Sequence, residues 1–505
     1  MEEQIIMNTL LNGLKNQTNF GYTENGAVKR NSTKSMLLDM FAMGAAMRNR
    51  SDNDVICMFK NEYEENPEYA LKCLFYLRDI RGGQGERRFF RTCYHWLAMK
   101  HPEAAQRNMQ FIPEFGRYDD LYCLLGTSLE NDMFALLKKQ FVLDLTCRTP
   151  SLLAKWLPSC NASSKYTIAK GNKTRMAFGL TQKEYRKALS VLRKRINVLE
   201  RLMSANEWDK IEFDKIPSKA GLIYKNAFAS RDIIKAKYEK FAKDENTKVN
   251  ASVLNPVDIA HQIFCNYHPS ETERLMWDKY WANLKDYYNC REENGIAIVD
   301  VSGSMSGVPM EAAVSMGAYI AERGKGPFQN HFITFSGNPE LVEFNGIDIY
   351  DKFYRARQAD WAMNTNIEAV FNLLLTTALR EGVKKNEMPE TLYIFSDMEF
   401  DQCITTGPAS HDRYGSYNTP RVSSESRMET LLEGIARKWA AKGFELPRVV
   451  FWNLNARQNN IPAMGGRFSY VSGFSMNMVE QILSGHDGYD LMMAKLNTER
   501  YSVIH

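Results

Sequence analysis

Residues Gly295–Gly307 read GIAIVDVSGSMSG, and this stretch decides the fold of the C-terminal half of the chain. The residues that lead up to Asp300 are all apolar, which is typical of a strand buried on both faces of a parallel sheet. Gly303 and Gly307 permit a turn after the strand, and Pro309 favours the start of a helix. The stretch therefore predicts a buried strand, a turn and a helix.

The polar side chains at the end of this strand form a candidate ligand set for a divalent cation. Asp300, Ser302 and Ser304 stand at alternate positions and offer one carboxylate and two hydroxyl groups. Mg²⁺ takes oxygen ligands in octahedral geometry and keeps several of its waters, and Mn²⁺ accepts the same ligands. The alternative is that Asp300 and Ser302 only cap the helix that begins near Pro309.

Two later segments extend this pattern. Met363–Ala369 reads MNTNIEA, with Thr365 just ahead of a predicted helix, and Leu392–Asp397 reads LYIFSD, an apolar strand that ends in a carboxylate. Together with the D-x-S-x-S run, these segments resemble the metal-ion-dependent adhesion site of von Willebrand factor A domains. The resemblance implies that the metal ligands are Asp300, Ser302, Ser304, Thr365 and Asp397. It also implies that a Mg²⁺ or Mn²⁺ ion there binds the acidic side chain of a protein partner.

Strand and helix patterns alternate through residues 291–505. The predicted strands are 295–300, 331–335, 392–396, 449–454 and 468–472, and the predicted helices lie near 309–323, 366–383, 424–442 and 475–484. This alternation predicts a doubly wound, mostly parallel sheet with helices on both faces, a Rossmann-like von Willebrand factor A domain. Ligands of such sheets bind beyond the carboxyl ends of the strands. The polar segment 402–425 follows at that edge, and we expect a lid or partner-contact loop there, with simple disorder as the alternative.

The N-terminal half shows a different pattern. Residues 1–35 are polar, and we expect a flexible arm. Helical patterns fill residues 36–290, among them a long helix from Thr181 to Met203 that a capping-box signal introduces. Many short helices with brief links predict an all-helical, HEAT-like repeat domain of stacked pairs, either open or closed into a ring. The whole chain is therefore predicted to be α + α/β.

The charge of the chain is unevenly distributed. The total of 64 Lys+Arg and 60 Asp+Glu gives a net charge of only +4. Residues 291–505 contain 20 Lys+Arg and 26 Asp+Glu, so the N-terminal half is strongly basic. Within it, Lys138–Arg201 contains 15 basic and 3 acidic residues. This concentration favours the binding of a polyanion by the helical half.

Three segments of the helical half carry a second resemblance. They are LRDIRGGQGERRFFR at Leu77–Arg91, IPEFGRYDDL at Ile112–Leu121 and LAKWLPSCNASSK at Leu153–Lys165. They resemble a family from bacteria, their phages and plants that has the same layout, a helical module followed by a von Willebrand factor A domain. The layout also resembles the Ro (TROVE-module) ribonucleoproteins. That resemblance implies a basic inner surface that takes single-stranded RNA ends, and structured small RNAs bound outside.

RNA binding needs cations for the phosphates and aromatic rings for unpaired bases, and the basic stretch interleaves both. The candidate RNA-binding residues are Arg81, Arg87, Arg88, Arg117, Lys155, Lys165, Arg175, Arg186, Arg193 and Lys194. The alternative is that Trp156, Phe178 and Tyr185 belong to the core, and that the basic residues form a solvated helix face.

Patterns typical of enzymes are weak. The glycine-rich Gly82–Gly85 lacks the GK[ST] ending of a P-loop, and the eight histidines form no metal or triad motif. We therefore expect no enzyme. A metal-dependent nuclease stays as an alternative, because Glu399 and Asp401 follow Asp397 closely.

The expected location is the cytoplasm. The nine cysteines show no paired motif, and neither a secretory signal nor a membrane-spanning run is found. We expect an RNA-binding scaffold of the Ro type whose metal site engages a partner carboxylate. The alternative is a module that binds a protein, such as a virion or host protein, without RNA.

Overall fold

The computed structural model of the chain describes residues 19–289, 291–335, 339–358, 365–401 and 430–505, which form two compact units. The sheet unit comprises Met1–Arg50, Asp286–Ile347 and Asp351–Lys495. The helical unit comprises Ser51–Lys285, Asp348–Tyr350 and Leu496–His505. The expected domain boundaries at residues 35 and 290 are corrected accordingly. Residues 19–50 fall in the sheet unit, and the last ten residues fall in the helical unit.

The strands occur almost entirely in the C-terminal half. They are β1 (Phe20–Tyr22), β2 (Val28–Arg30), β3 (Gly295–Asp300), β4 (His331–Phe335), β5 (Glu340–Glu343), β6 (Thr391–Ser396), β7 (Arg448–Asn453) and β8 (Phe468–Ser472). β1 and β2 form an antiparallel hairpin. The other six form one sheet in the order β5-β4-β3-β6-β7-β8, in which β5 alone is antiparallel to its neighbour. Because β4 and β6 flank β3 on opposite sides, the winding direction reverses at β3, where open parallel sheets bind ligands.

The described helices fall into two series. Up to residue 285 the α-helices are Met36–Met43, Asp52–Glu65, Pro67–Arg78, Arg87–Lys100, Pro102–Asn108, Ile112–Phe115, Glu130–Thr146, Leu153–Trp156, Lys165–Phe178, Gln182–Arg195, Leu199–Ser204, Ser218–Ser230, Asp232–Lys243, Pro256–Phe264 and Glu271–Ala282. Beyond it they are Val308–Arg323, Ile349–Ala356, Ile367–Glu381, Leu431–Ala441, Val479–Leu483 and Gly488–Leu496. A helical N-terminal part and a C-terminal mixed sheet are therefore confirmed.

The long helix expected from Thr181 to Met203 is wrong, because the chain forms two helices, Gln182–Arg195 and Leu199–Ser204. Asn197 lies between them with a φ of 48°, in the left-handed region that an α-helix interior does not use. The capping box at Thr181 is present, and the predicted apolar face points inward. Tyr185, Leu189 and Leu192 are all buried.

The prediction of a flexible arm is wrong for residues 19–35, which belong to the sheet unit and form hydrogen bonds within it. Asn25-Gly26 lies in the loop between β1 and β2, where Gly26 has a φ of 88° that suits glycine. The backbone of Arg30 exchanges two hydrogen bonds with Ile461, at 2.9 and 3.0 Å, and its guanidinium lies 2.8 Å from Glu433. The following helix, Met36–Met43, packs on β8, and the hydroxyl of Ser472 donates to the carbonyl of Phe41 at 2.8 Å.

The glycine-rich segment after the helix Pro67–Arg78 has a structural role in the helical unit. A Cβ atom on Gly83 would lie 1.8 Å from the carbonyl oxygen of Tyr76, so only glycine fits there. Arg78 pairs with Asp120 at 2.6 Å, and both side chains are buried. The segment is thus fixed by close backbone packing against Tyr76, and the ion pair lies just before it.

Among the described residues, none of the helices combines the length and the apolar character that a membrane crossing requires.

Candidate functional site

Asp300 ends β3 at the point where the winding of the sheet reverses. The side chain is 0% exposed. Its Oδ1 accepts a hydrogen bond from the backbone N–H of Ser302 at 3.0 Å, and its Oδ2 accepts one from the hydroxyl of Ser396 at 2.5 Å. Ser396 is the last residue of the neighbouring strand β6, so the parallel register of the two strands places Asp397 next to this position.

Ser302 and Ser304 lie in the turn that follows β3. Their hydroxyl oxygens are 3.1 Å apart, and Ser302 is 1% exposed. Gly307, with a φ of 87°, is the N-cap of the helix Val308–Arg323 and offers no capping side chain. Asp300 and Ser302 therefore do not cap this helix, and the capping alternative is wrong.

Asp397 directly follows β6 and is likewise 0% exposed. Its Oδ1 accepts a hydrogen bond from the backbone N–H of Glu399 at 3.1 Å. Its Oδ2 lies 3.4 Å from Nη2 of Arg457, a cation on the loop after β7. Two buried carboxylates and a guanidinium thus share this edge of the sheet.

The protonation of the two carboxylates reflects their burial. Desolvation raises the pKa of Asp300, and the negative charge of Asp397 raises it further. Desolvation also raises the pKa of Asp397, while the hydroxyl of Ser304, the N–H of Glu399 and the guanidinium of Arg457 act to lower it. Positive charge placed between the two carboxylates would relieve this repulsion.

Thr365 is 2% exposed and precedes the helix Ile367–Glu381. Its N–H donates to Oδ2 of Asp401 at 2.9 Å, and its carbonyl accepts from the N–H of Asp401 at 3.0 Å. These contacts attach Thr365 to the segment that follows Asp397. The structure therefore places Asp300, Ser302, Ser304 and Asp397 at the carboxyl ends of β3 and β6, and it attaches Thr365 to the segment that follows Asp397.

Several residues at this edge were not predicted from the sequence. The Ser396 hydroxyl donates a hydrogen bond to Asp300, and the Arg457 guanidinium contacts Asp397. The side-chain amide of Asn25 lies 3.4 Å from the hydroxyl of Thr365. The Asn-Gly pair at 25–26 is a standard hairpin signal that was available in the sequence. No local pattern identifies Arg457, because its partners lie far away along the chain. The predicted loop 402–425 lies outside the described residues.

Several predicted RNA-binding residues have structural partners in the helical unit. Nη1 of Arg81 donates to the carbonyl of Glu114 at 2.7 Å, Arg88 pairs with Asp52 at 2.6 Å, and Lys155 lies 3.8 Å from Glu200. The Arg175 Nε donates to Asn172 at 2.9 Å. Such contacts leave less of each cation free for a ligand.

Arg193 is the clearest departure from the expected role. Its guanidinium donates to the carbonyls of Ala154 at 2.8 Å and Leu157 at 2.9 Å, and to the hydroxyl of Ser159 at 3.1 Å. Arg193 therefore holds the helix Gln182–Arg195 against residues 154–159, and its role is structural.

Aromatic residues of the basic stretch divide between core and surface. Tyr185 and Phe178 are 0% and 5% exposed and belong to the core, as the alternative predicted. The Arg117 guanidinium lies 4.4 Å from the ring centre of Trp156, and burial together with the charge of Arg87 lowers the pKa of Arg117. Tyr166 is 69% exposed.

The remaining basic residues form an open surface. We define the basic face as the exposed cations of the helices Lys165–Phe178 and Gln182–Arg195 for which neither a carboxylate nor a backbone carbonyl partner is seen among the described residues; this excludes Lys173 and Arg195. Its members are Lys165, Lys183, Arg186, Lys187 and Lys194. Four of them share a side of the second helix, opposite the buried Tyr185, Leu189 and Leu192.

The sequence of the chain matches two family models and one viral protein. A family model described as "Domain of unknown function (DUF2828)" matches residues 23–155 and 151–287. A second model, "Domain of unknown function (DUF7788)", matches residues 294–500. The "Uncharacterized protein L728" of Acanthamoeba polyphaga mimivirus is 30% identical over 513 aligned positions, which cover 93% of this chain and 85% of the viral protein.

Among solved structures, the chain is similar to the Ro (RSR) protein of Deinococcus radiodurans, whose crystal structure aligns with a TM-score of 0.41. The alignment covers 93% of this chain and 100% of the Ro chain, at 12% sequence identity.

Proposed function

We propose that this chain, which belongs to the DUF2828 family, is a binding protein with a divalent-cation site in its sheet unit and an RNA-binding surface in its helical unit. In this proposal the sheet unit is a von Willebrand factor A-like domain. One observation supports the cation site above all others, namely the buried pair of carboxylates, Asp300 and Asp397.

The donor set fits Mg²⁺ or Mn²⁺. Asp300 and Asp397 offer carboxylate oxygens, and Ser302, Ser304 and Thr365 offer hydroxyls, all of them the oxygen ligands that hard cations prefer. Desolvation raises the pKa of both buried carboxyl groups, and the charge of Asp397 raises that of Asp300 further, although the Arg457 guanidinium lies beside Asp397. A bound divalent cation would supply the missing positive charge.

Such a site would bind a partner. Hard cations keep water molecules in part of their coordination shell, and a carboxylate oxygen from a partner protein would take one of these positions. Two further acids lie at this edge, and each accepts a hydrogen bond from the backbone of another segment. Glu399 accepts from the N–H of Glu24 at 2.9 Å, and Asp401 accepts from the N–H of Thr365 at 2.9 Å.

Isothermal titration of the purified protein with MgCl₂ and MnCl₂ tests the cation site. We expect the wild type to bind one cation, and Asp300→Ala and Asp397→Ala each to weaken that binding at least about tenfold, since each removes a charged ligand. Asp490→Ala, which removes an exposed carboxylate of the same unit, is the matched control and should bind as the wild type does. Wild-type affinity in Asp300→Ala would contradict the site.

The second proposed activity, RNA binding, rests on the basic face. Its five cations lie exposed on neighbouring helices without carboxylate partners among the described residues, and the exposed ring of Tyr166 follows Lys165 directly. Phosphates are attracted by uncompensated lysine and arginine, and an exposed ring stacks an unpaired base. These features support single-stranded RNA as the ligand of the helical unit.

Fluorescence anisotropy with labelled single-stranded and hairpin RNA, at low and high salt, tests this activity. The triple variant Arg186→Glu, Lys187→Glu and Lys194→Glu should lose at least about tenfold in affinity and show a weaker dependence on salt. The control reverses Lys235, Lys240 and Lys248, which are exposed lysines of the same unit and change the net charge equally.

The two triple variants separate three outcomes. A loss confined to the first supports RNA binding on the basic face. Equal losses in both would show that net charge alone attracts RNA. No binding by the wild type at low salt would favour the alternative, a module that binds only proteins.

A further inference from the structure

The loop between β1 and β2, which we call the hairpin loop (Thr23–Ala27), lies on the segment that follows Asp397. The hydroxyl of Thr23 donates to the carbonyl of Phe400 at 2.6 Å. The backbone N–H of Glu24 donates to Oε2 of Glu399 at 2.9 Å. The hairpin loop is therefore held at the candidate cation site by specific hydrogen bonds.

Asn25 extends this contact to a predicted ligand. Its side-chain amide donates to the backbone carbonyl of Glu399 at 2.6 Å and lies 3.4 Å from the hydroxyl oxygen of Thr365. Gly26 forms a bridge with Asp401, whose carboxylate accepts the Thr365 N–H. The hairpin loop thus contacts both chain segments that bring Thr365 to the site.

Arg457 connects the hairpin loop to the second buried carboxylate. Its Nη1 lies 2.8 Å from Oε2 of Glu24, and its Nη2 lies 3.4 Å from Oδ2 of Asp397. One guanidinium is therefore shared between a carboxylate of the hairpin and a carboxylate of the candidate cation site. The shorter of the two distances is the one to Glu24.

We propose that Glu24 and Arg457 couple the cation site to the hairpin loop, so that cation binding and docking of the loop stabilise each other. This inference rests on the proposed cation site. It adds a role for residues of the N-terminal segment, which belong to the sheet unit.

The physical reason is a competition for Asp397. Without a divalent cation, the guanidinium of Arg457 is the positive charge beside the Asp397 carboxylate. A cation bound to Asp397 repels that guanidinium, because two positive charges a few ångströms apart in a partly buried site repel strongly. Glu24 already pairs with Arg457. When the cation displaces the guanidinium from Asp397, Glu24 becomes its main partner, and the ion pair that holds the hairpin loop becomes stronger. By thermodynamic linkage, a docked loop must raise cation affinity by the same factor.

Two substitutions should change cation affinity in opposite directions. Arg457→Gln removes the competing charge, so Mg²⁺ affinity measured by isothermal titration should rise at least about fivefold. Glu24→Gln removes one of the two carboxylate partners of Arg457. The guanidinium then pairs only with Asp397 and competes more strongly with the cation, so Mg²⁺ affinity should fall by a similar factor. A purely structural hairpin predicts no increase for any variant. Arg467→Gln removes a guanidinium of the same unit that is 57% exposed and pairs with Glu445, and it should leave the affinity unchanged.

Hydrogen exchange measured by mass spectrometry supplies a readout that does not depend on any activity. In the wild type, MgCl₂ should slow exchange in a peptide covering residues 20–30 at least about fivefold. The slowing should be absent in Asp300→Ala, which lacks a cation ligand. It should also be absent in Arg457→Gln, although that variant still binds Mg²⁺.

The outcomes separate the two proposals. If the wild type binds neither Mg²⁺ nor Mn²⁺, the cation site fails and this inference fails with it. If the wild type binds Mg²⁺ but the exchange of residues 20–30 is unchanged, or if Arg457→Gln binds Mg²⁺ no more tightly, only the coupling is overturned. Thermal unfolding of each variant identifies any that fail to fold. Glu24→Gln and Arg457→Gln test the coupling independently of each other.

Discussion

In the helical unit, the guanidinium of Arg500 donates two hydrogen bonds to the carboxylate of Asp79, and the Nη2 bond is 2.7 Å long. Asp79 is 0% exposed, and the hydroxyl of Tyr501 lies 3.1 Å from the same carboxylate. The ring of Tyr501 stacks on Phe115 with a centroid distance of 5.6 Å. The last residues of the chain thus supply the partners of a buried charge in the helices that begin the unit.

Arg500→Ala should destabilise the helical unit by about 2–4 kcal/mol, because it leaves the Asp79 carboxylate buried with only a tyrosine hydroxyl as a side-chain donor. Thermal unfolding and hydrogen exchange in the helix Pro67–Arg78 measure the effect. Arg467→Ala, which breaks a pair whose side chains are 57% and 79% exposed, should cost no more than about 1 kcal/mol. Equal effects would show that Asp79 does not depend on Arg500.

Gly83→Ala should destabilise the helical unit by about 3 kcal/mol or more, because the new methyl group meets the carbonyl oxygen of Tyr76 within the backbone of its own unit. Gly466→Ala is the control, since a Cβ there meets nothing within 4 Å. Its unfolding free energy should stay within about 0.5 kcal/mol of the wild type. Chemical denaturation followed by circular dichroism compares the two, and a stable Gly83→Ala would require the loop to rearrange.

Adjacent cations on one helix should behave differently. Arg193→Ala should destabilise by about 1–3 kcal/mol, because the carbonyls of Ala154 and Leu157 lose their donor. Lys194→Ala, which truncates an exposed side chain, should change the unfolding free energy by no more than about 0.5 kcal/mol. Conversely, RNA affinity should fall in Lys194→Ala. Urea denaturation and RNA titration of the same samples test both statements.

Glu293 gives the sheet unit a predictable dependence on pH. Burial raises its pKa, while the hydroxyl of Tyr393, which donates to it, opposes that rise. The stability that protonated Glu293 contributes is complete below the unfolded pKa of about 4.3 and is lost as the pH rises through the folded value. Glu293→Gln cannot ionise, so its stability relative to the wild type should be greater at pH 8 than at pH 5.

Thermal unfolding at both pH values checks this prediction. Glu445→Gln, whose side chain in the wild type is 79% exposed, serves as the control. Its stability relative to the wild type should differ little between the two pH values. A difference as large as that of Glu293→Gln would assign the pH dependence to other groups.

Apolar runs in the sequence located the strands of the parallel sheet closely. The predicted strands 295–300, 331–335 and 468–472 coincide with β3, β4 and β8. These strands are buried, so hydrophobic pattern and structure have the same cause. β5 was missed because ELVE is short and only one of its side chains is fully buried.

The predicted metal ligands were found because each follows an apolar strand or precedes a helix. Arg457 and Glu24 were not, since they depend on contacts between residues 433 positions apart, which no local period records. For the same reason, residues 19–35 were predicted as a flexible arm and residues 36–50 as part of the helical domain, whereas both fall in the sheet unit. Their short strands gain stability from Ile461 and Glu433, not from their own sequence. Arg193 shows the reverse error, because charge alone does not distinguish a cation facing solvent from one that holds backbone carbonyls.

The division of both units along the chain has a consequence for synthesis on the ribosome. The helical unit needs Arg500 and Tyr501 to neutralise and cover Asp79, and these residues are made only after the stretch Asp286–Lys495. At about 5–20 residues per second, that stretch takes on the order of 10–40 s to translate. During this time the helical unit exposes an unpaired carboxylate and the apolar surface that Tyr501 later covers. We therefore expect the nascent chain to need chaperones most in this interval, and a fragment ending near residue 290 to aggregate unless the C-terminal peptide is supplied.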